Sequence, residues 1–276
     1  MLPGLFDGTV APPTEGVNFA FGGSLSSDVN VGGPPLPGLQ QQIETFGVLS
    51  AVVPPDPDAL FLLLAGGNDY NEAIANPDPT TPLAALPEQV TENLVNAVTA
   101  LIGQGAQQLL VSNLPDLSLQ PFADTLDQIN PQSSSLLSGF SQQHNQLLSQ
   151  KLTALEAASG VEIIQFDLEG LLNSVVESPE AFGFENVTDA CLINFQPGFQ
   201  FDGICENPDE FLFWDNIHPT EAGHSAIAQL TLSTLTAADP ENPPAQSVPE
   251  PAVVLGLLVG AGAMALSTRY RKVKFS

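Results

Sequence analysis

The sequence predicts an α/β protein in which helices cover both faces of a parallel sheet. Short apolar runs at 59–65, 108–114 and 161–166 have the length of buried strands, and helical patterns separate them. Strands and helices that alternate at these lengths favour parallel strands joined by crossover helices. With 276 residues, 43% of them hydrophobic, the chain is long enough for one large domain with a substantial core.

The first part of the chain predicts a strand, a helix and a second strand. Residues 17–21 alternate large apolar and small side chains, which indicates a short strand ending in a glycine turn, and 28–37 is typical of a loop. A helix is expected over 39–53, because two prolines follow it directly. The apolar run 59–65 stops at two glycines, the pattern of a strand buried on both faces.

The middle of the chain continues the alternation. Helical spacing of apolar residues predicts helices over 90–102, 134–158 and 168–176, and the strands at 108–114 and 161–166 lie between them. His144 falls on the longest of these helices and is expected at its surface or boundary.

An irregular segment at 177–213 precedes the last predicted helix, at 219–235. Its two cysteines, Cys191 and Cys205, enclose 13 residues and would form a disulfide in an oxidising exterior; two unpaired buried thiols are the alternative. Two cysteines without neighbouring histidines offer too few ligands for a metal ion, so no metal site is expected.

The charge distribution argues against nucleic acid as a partner. Five residues are basic against 31 acidic, which gives a net charge of −26, and four of the five basic residues lie within 269–274. Such an acidic body would repel phosphate groups. The acidity is instead expected to form a solvated surface on an exported domain.

The C-terminal end combines a proline-rich linker at 238–251, an uncharged apolar run at 252–268 and a basic cluster that starts at Arg269. As a helix the apolar run would rise about 25 Å, at the short end of what spans a bilayer. A transmembrane helix is therefore predicted over 252–268, with its basic flank in the cytoplasm. A buried core helix is the alternative.

Val248-Pro249-Glu250-Pro251, followed by the apolar run and the basic end, resembles the bacterial PEP-CTERM sorting signal. The resemblance implies export, an exosortase-like processing enzyme as partner, and a place in the cell envelope or outside the cell. An exported body requires a signal peptide, yet residues 1–8 have neither its basic region nor its apolar stretch. The expectation is that the N-terminal end lacks a segment; export by an unrecognised route is the alternative.

Asp215 and His218 are the candidate catalytic pair. The aspartate stands three residues before the histidine and Pro219 follows, so that one rigid turn can hold a base and its orienting carboxylate. The alternative is a capped helix start with a surface histidine. A second feature favours catalysis: Gly66-Gly67-Asn68 ends a predicted parallel strand, where open sheets place their chemistry, and the amide of Asn68 suits an oxyanion.

Together these residues resemble the SGNH/GDSL hydrolase family of esterases and lipases. Residues 18–23 look like its second sequence block, 66–70 like its third and 213–220 like its fifth. The resemblance covers roughly 16–235. It implies a three-layer α/β/α sandwich with a flavodoxin-like parallel sheet, hydrolysis of a small-molecule or lipid ester, and no cofactor.

The roles implied by the resemblance are those of a Ser-His-Asp triad. Asp215 and His218 would serve a nucleophilic serine, Gly22 or Gly23 would supply a backbone oxyanion donor, and Asn68 would supply the side-chain donor. The competing hypothesis is a non-catalytic binding or structural module on the surface, built on the same fold. The expected domains are the hydrolase-like body at 1–237, the linker at 238–251 and the sorting segment at 252–276.

The first sequence block of the family, which carries the nucleophile, is not found. Residues 21–28 resemble the consensus sequence of that block, with Gly23 in place of an acidic residue. The interval from there to Asn68, however, fits the second and third blocks as neighbours. Ser24 is therefore expected to be a turn residue. The sheet is expected to lack its first strand and to show an unpaired inner edge, and the chain is expected to be inactive or poorly soluble.

Overall fold

The computed structural model describes residues 16–78, 82–194 and 200–238. The helices in these ranges are α1 (Leu39–Ser50), α2 (Gly67–Ala75), α3 (Leu86–Gly103), α4 (Pro121–Ile129), α5 (Ser133–Ser159), α6 (Leu168–Glu177) and α7 (Glu221–Ala238). The strands are β1 (Leu60–Leu63), β2 (Gln108–Ser112), β3 (Glu162–Phe166), β4 (Asn186–Ala190), β5 (Leu192–Ile193), β6 (Gly203–Ile204) and β7 (Phe211–Phe213).

A three-stranded parallel sheet forms the centre of the protein, in the order β1-β2-β3. The register places Leu62 opposite Leu110, and Leu110 opposite Ile164. Helices α2 and α3 connect β1 to β2, and α4 and α5 connect β2 to β3. Parallel neighbours require such crossovers, and the prediction of an α/β fold with a parallel sheet is confirmed.

The two faces of the sheet pack against different helices, which gives three layers. Leu109 and Ile163 point to the face covered by α1, α3 and α5. Leu110 and Ile164, one residue further along each strand, point to the opposite face, where Ile227 of α7 covers them. This alternation follows from the two-residue period of a strand.

The outer edge of β1 is open in the described part of the chain, where β2 is its hydrogen-bonded neighbour. Leu62 is 54% exposed and Leu64 57% exposed. Leu60, on the same face of β1, packs in the cluster that includes Ile227 of α7, so the prediction that this run is buried on both faces is wrong from Leu62 onward. The prediction of a strand over 17–21 is also wrong: these residues have no strand neighbour among the described residues with which to share backbone hydrogen bonds.

Two helices and four short strands occur where no regular element was predicted. Helices α2 and α4 have nine residues each, too short to show a sustained helical period. Within the predicted irregular segment, β4 pairs in parallel with β7, and β5 pairs in antiparallel with β6. The segment is therefore more ordered than its sequence indicates.

The prediction that His144 lies at the surface or boundary of its helix is wrong. The residue is 0% exposed, and its Nδ1 lies 2.7 Å from the hydroxyl oxygen of Tyr70. Phe140, His144 and Leu148 follow one another at intervals of four residues, so they share the apolar face of α5.

The fold class needs one correction, at the C-terminal end. No helix in the described ranges is long and apolar enough to cross a membrane. The predicted transmembrane span 252–268 and all but the first residue of the predicted linker 238–251 lie outside the described residues. The fold that the described residues form is therefore an α/β fold without a transmembrane helix.

Candidate active site

The turn that carries Asp215 and His218 begins where β7 ends. Phe213 and Pro219 form a bridge across it, and the backbone N–H of Trp214 donates to the carbonyl oxygen of His218 at 2.7 Å. Because Pro219 takes part in this bridge, α7 starts at Glu221, two residues later than predicted. The turn is therefore a closed loop whose two ends are held by backbone contacts.

Asp215 and His218 are in direct contact on this turn. Nδ1 of His218 lies 2.8 Å from Oδ2 of Asp215, and Oδ1 accepts the backbone N–H groups of Ile217 and His218 at 2.8 and 2.7 Å. Since Nδ1 faces a carboxylate, the neutral ring carries its proton there and leaves Nε2 as the basic nitrogen. The His218 side chain is 68% exposed, whereas that of Asp215 is 16% exposed.

The contact changes the pKa of both groups. For Asp215, burial would raise the pKa, but the hydrogen bonds from the side chain and backbone of His218 and from Ile217 outweigh it, so the pKa lies below its usual value. The hydrogen bond to Asp215 raises the pKa of His218 above its usual value, against a smaller opposing effect of burial. The pair thus favours an ionised carboxylate beside a more basic imidazole.

Gly22 and Gly23 lie in a loop that folds back on itself. Their carbonyl oxygens accept hydrogen bonds at 2.9 Å, that of Gly22 from Nδ2 of Asn30 and that of Gly23 from the backbone N–H of Val31. Gly23 has φ +76°, and a Cβ there would meet Asn30 and Val31 at 2.9 Å, so the position requires glycine. Among the described residues, no hydrogen bond occupies the backbone N–H of Gly22 or Gly23.

Asn68 stands beside this loop. It lies in the first turn of α2, directly after β1 and the left-handed Gly66 (φ +112°), and its Nδ2 donates to the carbonyl oxygen of Ser24 at 3.0 Å. An amide nitrogen carries two hydrogens, so one remains for a ligand. The structure therefore brings Asn68 together with the loop that contains Gly22 and Gly23.

The turn that carries Asp215 and His218 is connected to these residues by hydrogen bonds at the start of α4. The carbonyl oxygen of Asn216 accepts the backbone N–H of Phe122 at 2.9 Å, and Oε1 of Gln120 accepts Nδ2 of Asn71 at 3.2 Å. Among the described residues, no hydrogen bond joins His218 directly to Gly22, Gly23 or Asn68. This connection could not be predicted from the sequence, because neither Gln120 nor Asn71 belongs to a motif.

The hydroxyl of Ser24 is fully engaged in holding its own loop. Its Oγ lies 2.8 Å from the carbonyl oxygen of Phe21 and 2.9 Å from that of Pro37, and it accepts Nε2 of Gln42 at 2.6 Å. A hydroxyl held on three sides is poorly placed to attack a substrate, which favours the interpretation of Ser24 as a turn residue.

Asp69 and Ser26 form a buried pair that sequence reasoning missed. Both oxygens of the Asp69 carboxylate lie within 3.1 Å of the backbone nitrogen of Ser26, and the Ser26 hydroxyl donates to Oδ1 at 2.7 Å. Burial raises the pKa of Asp69 to about 6, although the Ser26 hydrogen bonds act in the opposite direction. The one available signal was the position of Asp69 directly after Asn68.

The disulfide between Cys191 and Cys205 lies next to the turn that carries Asp215 and His218. The backbone N–H of Cys191 donates to the carbonyl oxygen of Phe213 at 2.9 Å, and that of Leu192 donates to Trp214 at 2.8 Å. The cross-link therefore supports the strand that enters the turn. In the described ranges, no group of three or more His, Cys, Asp or Glu side chains is arranged to hold a metal ion.

Most of the chain is similar to one known protein family. The profile of the family described as GDSL-like Lipase/Acylhydrolase matches residues 4–231. An uncharacterised protein from the trpE-trpG intergenic region of Pseudomonas putida is 32% identical over 240 residues, which cover 81% of this chain and 38% of that protein.

Two named esterases also match. A GDSL esterase/lipase of Arabidopsis thaliana is 27% identical over 238 residues, 80% of this chain and 72% of that protein. Esterase EstA of Pseudomonas aeruginosa is 30% identical over 189 residues, 66% of this chain and 27% of that protein. The chain thus spans well under half the length of the two bacterial relatives and about three quarters of the plant one.

Proposed function

Because the chain belongs to the GDSL-like lipase/acylhydrolase family, we propose that it hydrolyses carboxylic esters by a Ser-His-Asp mechanism. Family resemblance makes it an ester hydrolase, and one observation carries the mechanism: the 2.8 Å contact between Nδ1 of His218 and Oδ2 of Asp215 on a closed turn. This contact orients the ring and leaves Nε2, on an exposed side chain, to act as the base.

In the first half of the reaction, a serine hydroxyl attacks the carbonyl carbon of the ester while Nε2 of His218 takes its proton. Asp215 stabilises the imidazolium that forms. When the tetrahedral intermediate collapses, the bond to the alcohol oxygen breaks and His218 returns the proton to that oxygen. An acyl-serine remains. Water then attacks it with the same proton transfers, which releases the carboxylic acid and restores the serine.

The negative charge of the tetrahedral intermediate requires hydrogen-bond donors that are already in place. The backbone N–H groups of Gly22 and Gly23 and the second amide hydrogen of Asn68 are donors on adjacent segments. Loss of one such donor typically costs about 100- to 1000-fold in kcat. We assign the oxyanion site to these three residues.

The nucleophilic serine is proposed to stand on a strand that adds to the open edge of β1. The exposure of Leu62 and Leu64 supports this placement, since a neighbouring strand with its crossover helix would cover both. The engagement of the Ser24 hydroxyl with Phe21, Pro37 and Gln42 argues against Ser24 in this role. The 276 residues alone are then expected to show no ester turnover.

The protein is proposed to be exported to the cell envelope or to the outside of the cell. The disulfide at Cys191 and Cys205 supports an oxidising compartment, and the strongly acidic composition suits an exported body. The ending that resembles a sorting signal is proposed to be read by an exosortase-like enzyme. The substrate class is a small-molecule or lipid ester.

The test is ester hydrolysis combined with labelling of the nucleophile. Two preparations are compared on p-nitrophenyl butyrate: the 276-residue chain, and the product that also includes the in-frame coding sequence upstream of Met1. A fluorophosphonate probe, followed by peptide mapping, then identifies the modified serine. Turnover by the longer product, with the label upstream of residue 17 and loss of turnover in His218→Gln, is the expected result.

Three outcomes would count against the proposal. Label on Ser24, with turnover lost in Ser24→Ala, would place the nucleophile in the loop after Gly23. Turnover that survives His218→Gln would remove the proposed base. Absence of turnover in both preparations, on aryl esters and on lipid esters alike, would favour a binding or structural module.

A further inference from the structure

Ser26 is buried and makes hydrogen bonds with residues of three helices. It is 0% exposed, and besides its bonds to Asp69 on α2 it accepts hydrogen bonds from two other helices. Nδ2 of Asn93, on α3, donates to its hydroxyl at 3.0 Å, and Nε2 of Gln40, on α1, donates to its carbonyl oxygen at 2.9 Å. A serine in an ordinary surface turn would make far fewer contacts.

Asn68 and Asp69 hold the same loop at two points. Asn68 donates to the carbonyl oxygen of Ser24, and Asp69 accepts from Ser26 two residues later. The loop that they hold begins with Gly22 and Gly23. The separation between the backbone donors of the loop and the side-chain donor of Asn68 is therefore set by contacts from two consecutive residues of α2.

The hydrogen-bond pattern requires a carboxylate at position 69. Ser26 offers two donors, its N–H and its O–H, and the Asp69 side chain receives both with acceptor atoms. An asparagine would replace one acceptor by a donating NH₂ group, which would face a donor in a buried site that is 9% exposed. The loop would then have to shift.

We propose that Asp69 and Ser26 are positioning residues of the oxyanion site, which fix the Gly22–Gly23 loop against Asn68 at the separation that the transition state requires. This inference rests on the proposed function. Asp69 and Ser26 would not touch the substrate; they would act through Gly22, Gly23 and Asn68. A displacement of about 1 Å in such donors can cost on the order of 100-fold in rate.

The variants are Asp69→Asn and Ser26→Ala, with Ser27→Ala as the matched control. Ser27 is the next residue, and its hydroxyl contacts only the backbone N–H of Val29 at 3.3 Å among the described residues. Kinetics are measured in whichever preparation turns over ester, per site titrated with the fluorophosphonate, so that misfolded protein is not counted. Hydrogen exchange of residues 22–26 is measured in the 276-residue chain, without any substrate.

Positioning predicts that Asp69→Asn lowers kcat by about 10- to 100-fold with KM within about twofold, because the lost interaction acts in the transition state. Ser26→Ala keeps the backbone bonds to Asp69 and is expected to lower kcat less. Exchange of residues 22–26 should rise in both variants while that of β2 and β3 stays unchanged. Ser27→Ala should match the wild type.

A double-mutant cycle separates positioning from general stability. If Asp69 acts through Asn68, then Asp69→Asn together with Asn68→Ala should cost less than the product of the single effects. Unchanged kcat per titrated site in Asp69→Asn, or unchanged exchange of residues 22–26, would overturn the inference. Absence of ester turnover in both wild-type preparations would overturn the proposed function alone, and hydrogen exchange would still decide whether Asp69 fixes the loop.

Discussion

The imidazole of His144 lies directly against the backbone of Gly66, at the turn that leads into Asn68. A Cβ on Gly66 would be 3.1 Å from Cε1 of His144 and 3.4 Å from Cγ1 of Val90. The buried face of α5 therefore supports the turn that leads into Asn68. The turn can adopt its φ of +112° at low cost because residue 66 is glycine.

Gly66→Ala is expected to lower the free energy of unfolding by roughly 1–3 kcal/mol, because alanine would be strained at this φ and would press on His144. The matched control is Gly139→Ala, on the exposed side of α5 with no atom within 4 Å of the added Cβ. There the change should raise stability by roughly 0.5–1 kcal/mol. Urea unfolding followed by the fluorescence of Trp214 measures both, and equal effects would contradict the role of Gly66.

His144 is expected to make the fold sensitive to acid. Burial lowers its pKa from 6.5 to about 4, so the unfolded chain binds a proton at this residue at a higher pH than the folded protein does. The contribution of His144 to stability is therefore complete above pH 6.5, falls as the pH drops toward 4, and levels off below that. The full change is about 3 kcal/mol as an order of magnitude.

The measurement is the free energy of unfolding between pH 3.5 and 7.5, for the wild type and for His144→Gln. Tyr70, which faces His144, stays neutral in this range. Asp69, the residue before it, changes the free energy of unfolding with pH in the direction opposite to that of His144. Its pKa is raised to about 6, so its contribution is lost as the pH rises from 3.8 to 6. The difference between the two proteins isolates His144, and a difference that does not vary between pH 4 and 6.5 would contradict this prediction.

Asp215→Asn is expected to lower kcat by about 1000- to 10,000-fold in the preparation that turns over ester, because an amide no longer stabilises the imidazolium or fixes the tautomer. It should also change the pH profile. His218 must be neutral to act as a base, and its contact with Asp215 raises its pKa, so the acid limb of kcat/KM should lie above pH 6.5. In Asp215→Asn the acid limb should move to lower pH. If it does not move, the limb reports the titration of a group other than His218, which would contradict the prediction.

Removal of the disulfide should weaken both the fold and the catalytic turn. Replacing Cys191 and Cys205 by alanine opens a loop of 13 residues and is expected to cost roughly 3 kcal/mol of stability. The backbone N–H of residue 191 donates to Phe213 in wild type and variant alike, but without the cross-link this segment is held less firmly against the turn, so kcat should fall as well. Thermal melting with and without a reducing agent tests this; the double variant should not respond to the reductant, and a wild type that does not respond either would refute it.

The central elements were predictable from the sequence because they follow one hydrophobic period each. The predicted strand 108–114 is observed as Gln108–Ser112, and the predicted helix 134–158 as Ser133–Ser159. The strand is buried and the helix buries one apolar face, so in both the hydrophobic period of the chain agrees with the packing of the side chains. Strand β1 lies at the edge of the described sheet, and its residues were wrongly predicted to be buried on both faces. The exposure of an edge strand depends on which elements pack beside it, and the apolar sequence of the strand does not reveal this.

The contacts that organise the candidate site were not predictable in the same way. Asp69 and Ser26 are 43 residues apart, and Asn71 and Gln120 are 49 residues apart. These are single hydrogen bonds between polar side chains, which leave no periodic trace in the sequence. The Asp215–His218 pair could be predicted because both groups stand on one turn, three residues apart.

The edge of β1 with which no described strand pairs also bears on how the protein behaves at high concentration. An exposed strand edge with leucines at 62 and 64 can pair with the same edge of another copy. At low ionic strength, the net charge of −26 on each chain opposes such pairing. Near 1 M salt the Debye length falls to about 3 Å and the repulsion is screened. We therefore expect any form that leaves this edge uncovered to self-associate as salt is added, which light scattering would detect.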